Sequence, residues 1–164
     1  MARKSAGILL WKRKHNSLLV LLVHPGGPFW KNRDAGAWSI PKGEYDDDEE
    51  ALAAARREFA EELGPLPEGE VTPLGDIRQK AGKVVTAFAL EADFDCDSFE
   101  CNSFEMEWPP KSGKRASFPE IDQAQWFELD EARRRIIPAQ AELIERLEAA
   151  LATSSPAKSR PARR

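Results

Sequence analysis

Residues 43–65 read GEYDDDEEALAAARREFAEELGP, from Gly43 to Pro65. Ala, Glu, Arg and Leu fill the run from Glu49 to Leu63, and these are strong helix formers. Asp46, Asp47 and Asp48 precede the predicted helix. Gly64-Pro65 ends it, because glycine suits the position after the last turn and proline cannot continue a helix. On that helix Glu58, Glu61 and Glu62 are related as i, i+3 and i+4, so they share a sector roughly 100° wide. Leu52, Ala55, Phe59 and Leu63 form a neighbouring stripe that can face a core. Ala51 and Ala54 are expected to leave room above the carboxylates. The acids stand at the helix C-terminal end, where the macrodipole disfavours negative charge. Two readings are open at this point: a solvated acidic face, or hard oxygen ligands for Mg²⁺ or Mn²⁺.

Working outward, Trp38-Ser39-Ile40-Pro41 is a short extended piece that leads into Lys42 and Gly43. Ser5–Trp11 and Leu18–His24 predict two strands joined by a hairpin-like turn over Lys12–Asn16. Pro25-Gly26-Gly27-Pro28 reads as a loop. Beyond the helix, Val71–Gln79 and Val84–Ala92 predict a strand pair around Lys80–Lys83. Asp93–Glu107 is acidic with no clear period, and Trp108–Pro110 with Lys111–Arg115 reads as a turn. A strand is predicted around Gln125–Phe127. Asp130 is a candidate N-cap for Glu131–Ile136, and Pro138 can open a final helix through Ala152. In that helix Leu143, Ile144, Leu147 and Leu151 make an apolar stripe. Trp11, Trp38 and Trp126 read as core or rim packing, and His24 as a packed histidine at a strand end. Residues 153–164 are Ser, Pro, Ala and basic, and are expected to be a disordered tail.

Length bounds the rest. A chain of 164 residues is one domain, or one domain with a tail. It can bury a core without disulfide or metal staples. With 41% hydrophobic and 32% charged residues, it reads as a water-soluble globular chain and not as a collagen-like or membrane one. No apolar run nears the roughly 20 residues of a membrane-spanning helix, and Gly7–Trp11 is too short for a signal segment. A cytoplasmic location is expected, with Cys96 and Cys101 as free thiols. The formal net charge is −4, and residues 153–164 carry +4, which leaves −8 on the rest. An acidic body does not attract polyanions by its general field. Phosphate handling would need a local device such as bound divalent cations.

The spacing then becomes informative. Gly43, five residues, Glu49, seven residues, Arg57-Glu58-Phe59, one residue, Glu61-Glu62, one residue, Gly64 resembles the signature of the Nudix hydrolase family. Pro65 departs from it, since the family favours an aliphatic residue there. The resemblance implies an α/β/α sandwich with a mixed β-sheet, as a domain over residues 1–152 followed by the tail 153–164. It implies metal-dependent hydrolysis of a nucleoside diphosphate linked to another group. Glu58 and Glu62 would ligate the metal, Glu61 would be ligand or base, and the Gly43 carbonyl would approach the metal. Glu58, Glu61 and Arg57 thus make up the catalytic cluster. Glu49 lies roughly opposite Glu58 on an ideal helix, so it is better placed to brace the preceding loop through Arg57.

Trp38-x-x-Pro41-Lys42-Gly43 is similar to the subgroup acting on diadenosine tetraphosphate and related dinucleoside polyphosphates. Lys42 is a candidate phosphate contact. Glu120 is a candidate extra ligand or base from outside the signature; Glu105 and Glu107 compete for that role but read better as surface acids. Phe29 and Trp30 are candidates to stack on a nucleobase, against the alternative that they anchor their loop in the core. A house-cleaning nucleoside triphosphate pyrophosphatase and an RNA 5′-pyrophosphohydrolase, the latter aided by the basic tail, remain rival readings. So does a nucleotide sensor without catalysis. An intact Glu58, Glu61 and Glu62 set speaks against the sensor.

Overall fold

The computed structural model describes residues 3–79, 82–99 and 101–158, with side chains as far as Ala152. β1 (Lys4–Lys14) and β2 (Ser17–Pro25) pair antiparallel, with Lys14 opposite Ser17. The turn is His15-Asn16 alone, both at positive φ (51° and 69°). Such two-residue turns match the twist of the strands they join. β3 (Lys42–Glu44) pairs antiparallel with the start of β1, placing Gly43 opposite Ala6. Helix α1 (Ala51–Leu63) follows. β4 (Val71–Arg78) and β5 (Val84–Glu91) are antiparallel to each other, and β5 runs parallel to β1. Of the turn predicted between β4 and β5, Lys80 and Ala81 lie outside the described residues. β6 (Ser103–Glu107) and β7 (Arg115–Pro119) form a separate two-stranded hairpin. β8 (Ile121–Glu128) returns antiparallel to β2 and leads into α2 (Leu129–Arg135) and α3 (Ala141–Lys158). The main sheet is therefore mixed, in the order β4-β5-β1-β2-β8 with β3 on β1.

Helices cover both faces. Side chains alternate across a strand, and a strand buried on both faces loses the polar half of that alternation. In β1, Ala6, Ile8 and Leu10 join Ala54, Ala55, Phe59 and Leu63 of α1 in one core. Leu9 and Trp11 point the other way, into a core with Trp38, Phe127, Leu143, Ile144 and Leu147. The layers make the expected α/β/α sandwich.

Several boundaries differ from the sequence reading. α1 starts at Ala51 with Glu50 as N-cap, because Glu49 is held outside the helix by Arg57. Ala54 is fully buried in the core between α1 and the sheet, and Ala51 is partly buried against it. Glu128, not Asp130, holds the N-cap position of α2, without a side-chain capping bond, and Asp130 sits in the first turn. Pro138 opens a 3-10 turn over Pro138–Gln140 that precedes α3. The α3 backbone stays helical to Lys158, past the boundary expected at residue 152. The rest of the expected tail, 159–164, lies outside the described residues. Strand β6 takes up the end of the stretch read as aperiodic, and the β6–β7 hairpin brackets the segment read as a turn.

Candidate functional site

The site forms where β3 meets the C-terminal half of α1. A Cβ on Gly43 would overlap the Glu58 carboxylate, so glycine is what lets the two elements close on each other. Arg57, beside it, is held by acids on several sides. Its Nε and Nη2 donate to the two oxygens of Glu49, both at 2.9 Å, a bidentate pair. Its Nη1 donates to Glu58 Oε2 at 2.8 Å and to Glu61 Oε2 at 3.2 Å. The Glu49 hydrogen bonds, ahead of those from Glu61 and Glu58, hold the guanidinium firmly protonated. Arg57 thus ties the loop before α1 to the acidic sector of α1. The Glu58 side chain is 14% exposed, against 45% for Glu61.

Next to this cluster lies a cleft of about 230 Å³, lined by Lys42, Glu62, Glu120, Trp30, Ser39 and Ile121 among others. Burial first, then the charges of Glu58 and Glu120, push the Glu62 carboxyl up to about 8, against the pull of Lys42. Glu62 Oε1 is buried with no hydrogen-bond partner. Burial also raises the Glu58 carboxyl; Arg57 opposes this, while Glu61 and Glu120 add to it. Burial, with the charge of Lys83, lowers the Lys42 ammonium, while Glu62, Glu44 and Glu58 oppose the shift. A buried polar atom is normally satisfied. Crowded carboxylates with an orphaned oxygen match a hard divalent cation. Among the described residues, no three His, Cys, Asp or Glu side chains already stand as a ready set around one ion. Arg57 holds Glu58 and Glu61 instead. The donor chemistry fits a cation, without a preformed cage.

The structure brings Lys42, Glu62, Glu120 and Trp30 into one cleft, with Gly43 and Glu58 packed together beside it. Glu61 faces Arg57. Trp30 is 38% exposed and Phe29 61%, so neither anchors the loop in the core. Phe29 lies outside the cleft lining and meets Trp108 edge-on at 5.7 Å. Glu105 pairs with Arg115, and Glu107 accepts from the Gly113 amide; both serve the hairpin. Both cysteines are free, and burial pushes the Cys96 thiol up to about 11, away from a reactive thiolate. Sequence reasoning missed Gln140. Fully buried, it accepts from the Ile40 amide and donates to Gln79, and so fixes the segment entering Lys42. A lone glutamine after a proline carries no signal of that task.

The family model of the NUDIX domain matches residues 1–147, and the chain belongs to the Nudix family. Its class of enzyme is accordingly the Nudix pyrophosphohydrolase, a group that uses divalent metal ions. The fold is shared with the Nudix domain of Shewanella oneidensis NrtR complexed with ADP ribose. That match has 19% identity and a TM-score of 0.64, over 92% of this chain and 89% of that one. A C. elegans Ap4A hydrolase binary complex is similar at 21% identity and a TM-score of 0.60, over 93% and 99%. A mutT/nudix family protein from Listeria innocua is similar at 18% identity and a TM-score of 0.62, over 93% and 96%. No curated protein sequence matches the chain. Among the described residues, no helix is long and apolar enough to cross a membrane.

Proposed function

We propose that this chain hydrolyses the pyrophosphate link of a nucleoside diphosphate joined to another group, with dinucleoside polyphosphates such as diadenosine tetraphosphate ahead of simple nucleoside triphosphates. One observation carries the reading. A single cleft holds the crowded Glu62 and Glu120 carboxylates, the Lys42 ammonium and the exposed Trp30 ring. Those are the groups that a cation-bridged polyphosphate bearing a base requires. The similar structures, a Nudix domain complexed with ADP ribose and an Ap4A hydrolase, support a nucleotide substrate.

Glu58 and Glu62, with Glu61 and the Gly43 backbone, would hold Mg²⁺ or Mn²⁺. When bound, the cation neutralises phosphate oxygens and makes a water more acidic. Lys42 meets a phosphate as a point charge, and its partial burial strengthens that contact. Arg57 keeps Glu58 and Glu61 in place from behind. Glu120, on the cleft wall and free of Arg57, takes the proton from the attacking water. Trp30 offers a face for base stacking, worth about 1–3 kcal/mol.

A substrate panel with Mg²⁺ or Mn²⁺, its products resolved by chromatography, tests the reading. Diadenosine tetraphosphate should turn over faster than ATP or ADP-ribose. Glu58→Gln should lose at least about 100-fold in turnover while keeping its fold, since an amide is a neutral and poorer ligand. Near-normal turnover by this variant at saturating Mg²⁺ would sink the assignment of the carboxylates, and a preference for ATP would sink the substrate order.

A further inference from the structure

We propose that His24 is a positioning residue that clamps the loop of residues 26–37 to the sheet and so sets where Trp30 stands in the cleft. The functional half of this rests on the reading of Trp30 as a base platform. His24 lies near the end of β2 and is 6% exposed. Its Nδ1 meets Asp122 Oδ1 at 2.8 Å, and its Nε2 meets the Arg33 carbonyl at 2.6 Å. Both partners are oxygens. Each ring nitrogen thus lies within hydrogen-bond reach of an oxygen on a different element, Asp122 on β8 and Arg33 in the loop, so the imidazole bridges the two. The Trp38 ring packs on the imidazole at 5.1 Å between centroids. Lys31, Arg33, Asp34 and Arg135 line the cavity of about 350 Å³ next to it.

The clamp reaches Trp30 by short steps. His24 fixes the Arg33 carbonyl, the Arg33 amide donates to the Trp30 carbonyl at 3.0 Å, and the Arg33 guanidinium lies 5.6 Å from the Trp30 ring centroid. The loop is also tied at its ends. The Gly26 amide donates to the Glu120 carbonyl at 2.9 Å, and the Gly36 amide to the Arg134 carbonyl at 3.2 Å. Asp34 adds bonds from Trp38 Nε1 at 2.8 Å and Arg135 at 2.7 Å, with its own side chain 59% exposed. His24 is the buried tie, and a buried hydrogen bond is costly to break because the group left behind is unpaired. The same loop end holds Glu120, so the clamp and the cleft wall share a frame.

His24→Phe removes both ring nitrogens at similar bulk, Asp122→Ala removes the partner oxygen together with its charge, and Asp122→Asn removes the charge but keeps an acceptor oxygen. Hydrogen exchange over residues 27–36, measured without substrate, should speed up in His24→Phe and Asp122→Ala and stay near wild type in Asp122→Asn. KM for the best dinucleotide should rise about tenfold in His24→Phe with kcat within about twofold, because apparent affinity scales with the fraction of loop in the competent position. Unchanged exchange and KM in both His24→Phe and Asp122→Ala overturn the clamp. If His24→Phe fails to fold, Asp122→Ala carries the same readouts with the ring intact. Trp30→Ala separates the two layers. An unchanged KM there removes the base platform and the functional half of the proposal, while the exchange result still decides the clamp.

Discussion

Glu62 shows most clearly what a single residue does in this protein. Its carboxyl is raised to about 8 from an ordinary 4.5 by burial and by the neighbouring Glu58 and Glu120 charges. Between those values the folded state binds the proton and the unfolded state releases it. The stability of the cation-free protein should therefore fall as pH rises from about 4.5 to about 8 at this residue. Glu62→Gln should remove that slope. In chelator at pH 8 the variant should be more stable than the parent by on the order of 1–2 kcal/mol, or about 3–6 °C in Tm, with no gain at pH 5. Thermal unfolding at the two pH values, beside a turnover assay in Mg²⁺ that should read almost nothing, checks this. Equal Tm values for parent and variant at pH 8 would show that Glu62 is not strained in the folded protein. The i, i+3, i+4 spacing made Glu58, Glu61 and Glu62 legible in the sequence. It left open which acid would be buried: Glu61 stays half-exposed on Arg57, while Glu62 turns into the cleft.

Elements show how the site is assembled. β3 and α1 touch through Gly43, whose missing side chain is replaced by the Glu58 carboxylate. Gly43→Ala should push β3 off α1, cost roughly 1–3 kcal/mol of stability by overpacking and lower turnover more than about tenfold by misplacing Lys42 and Glu58. Denaturant melts and steady-state rates measure the two effects, and a variant with normal turnover would show that this contact does not set the site. Strands β1 and β2 were legible because both carry long branched apolar runs. The β6–β7 hairpin was not, although Phe104 and Met106 alternate with Glu105 and Glu107 over β6. The surrounding acids hid that short period. Its reward is tertiary: Phe104 packs on Phe118 and against Gly27, in the loop that bears Trp30.

Across the whole molecule, two apolar cores flank one sheet, and the carboxylate site lies at its margin. The cores do not use the carboxylates, so removing divalent cation should stop turnover without unfolding the chain. Near-UV dichroism should survive chelator at room temperature. Saturating Mg²⁺ should raise Tm by a few degrees at most by mass action. Loss of the near-UV signal in chelator would mean that the cation holds the fold together.

The spacing of Gly43, Glu49, Arg57, Glu58, Glu61, Glu62 and Gly64 determined the family and the helix by itself, since local periodicity and helix-stop chemistry act over a few residues. Runs of branched apolar residues likewise marked β1 and β2, and the β4–β5 pair was legible around its turn. Only the tertiary structure decided that Glu120 joins Glu62, that Phe29 leaves the cleft while Trp30 lines it, and that His24, Asp122 and Arg33 meet. His24 and Asp122 lie far apart in the chain. What brings them together is the pairing of β2 with β8, which sets His24 opposite Gln123. No local pattern records that pairing, because it exists only once both strands find their places in one sheet.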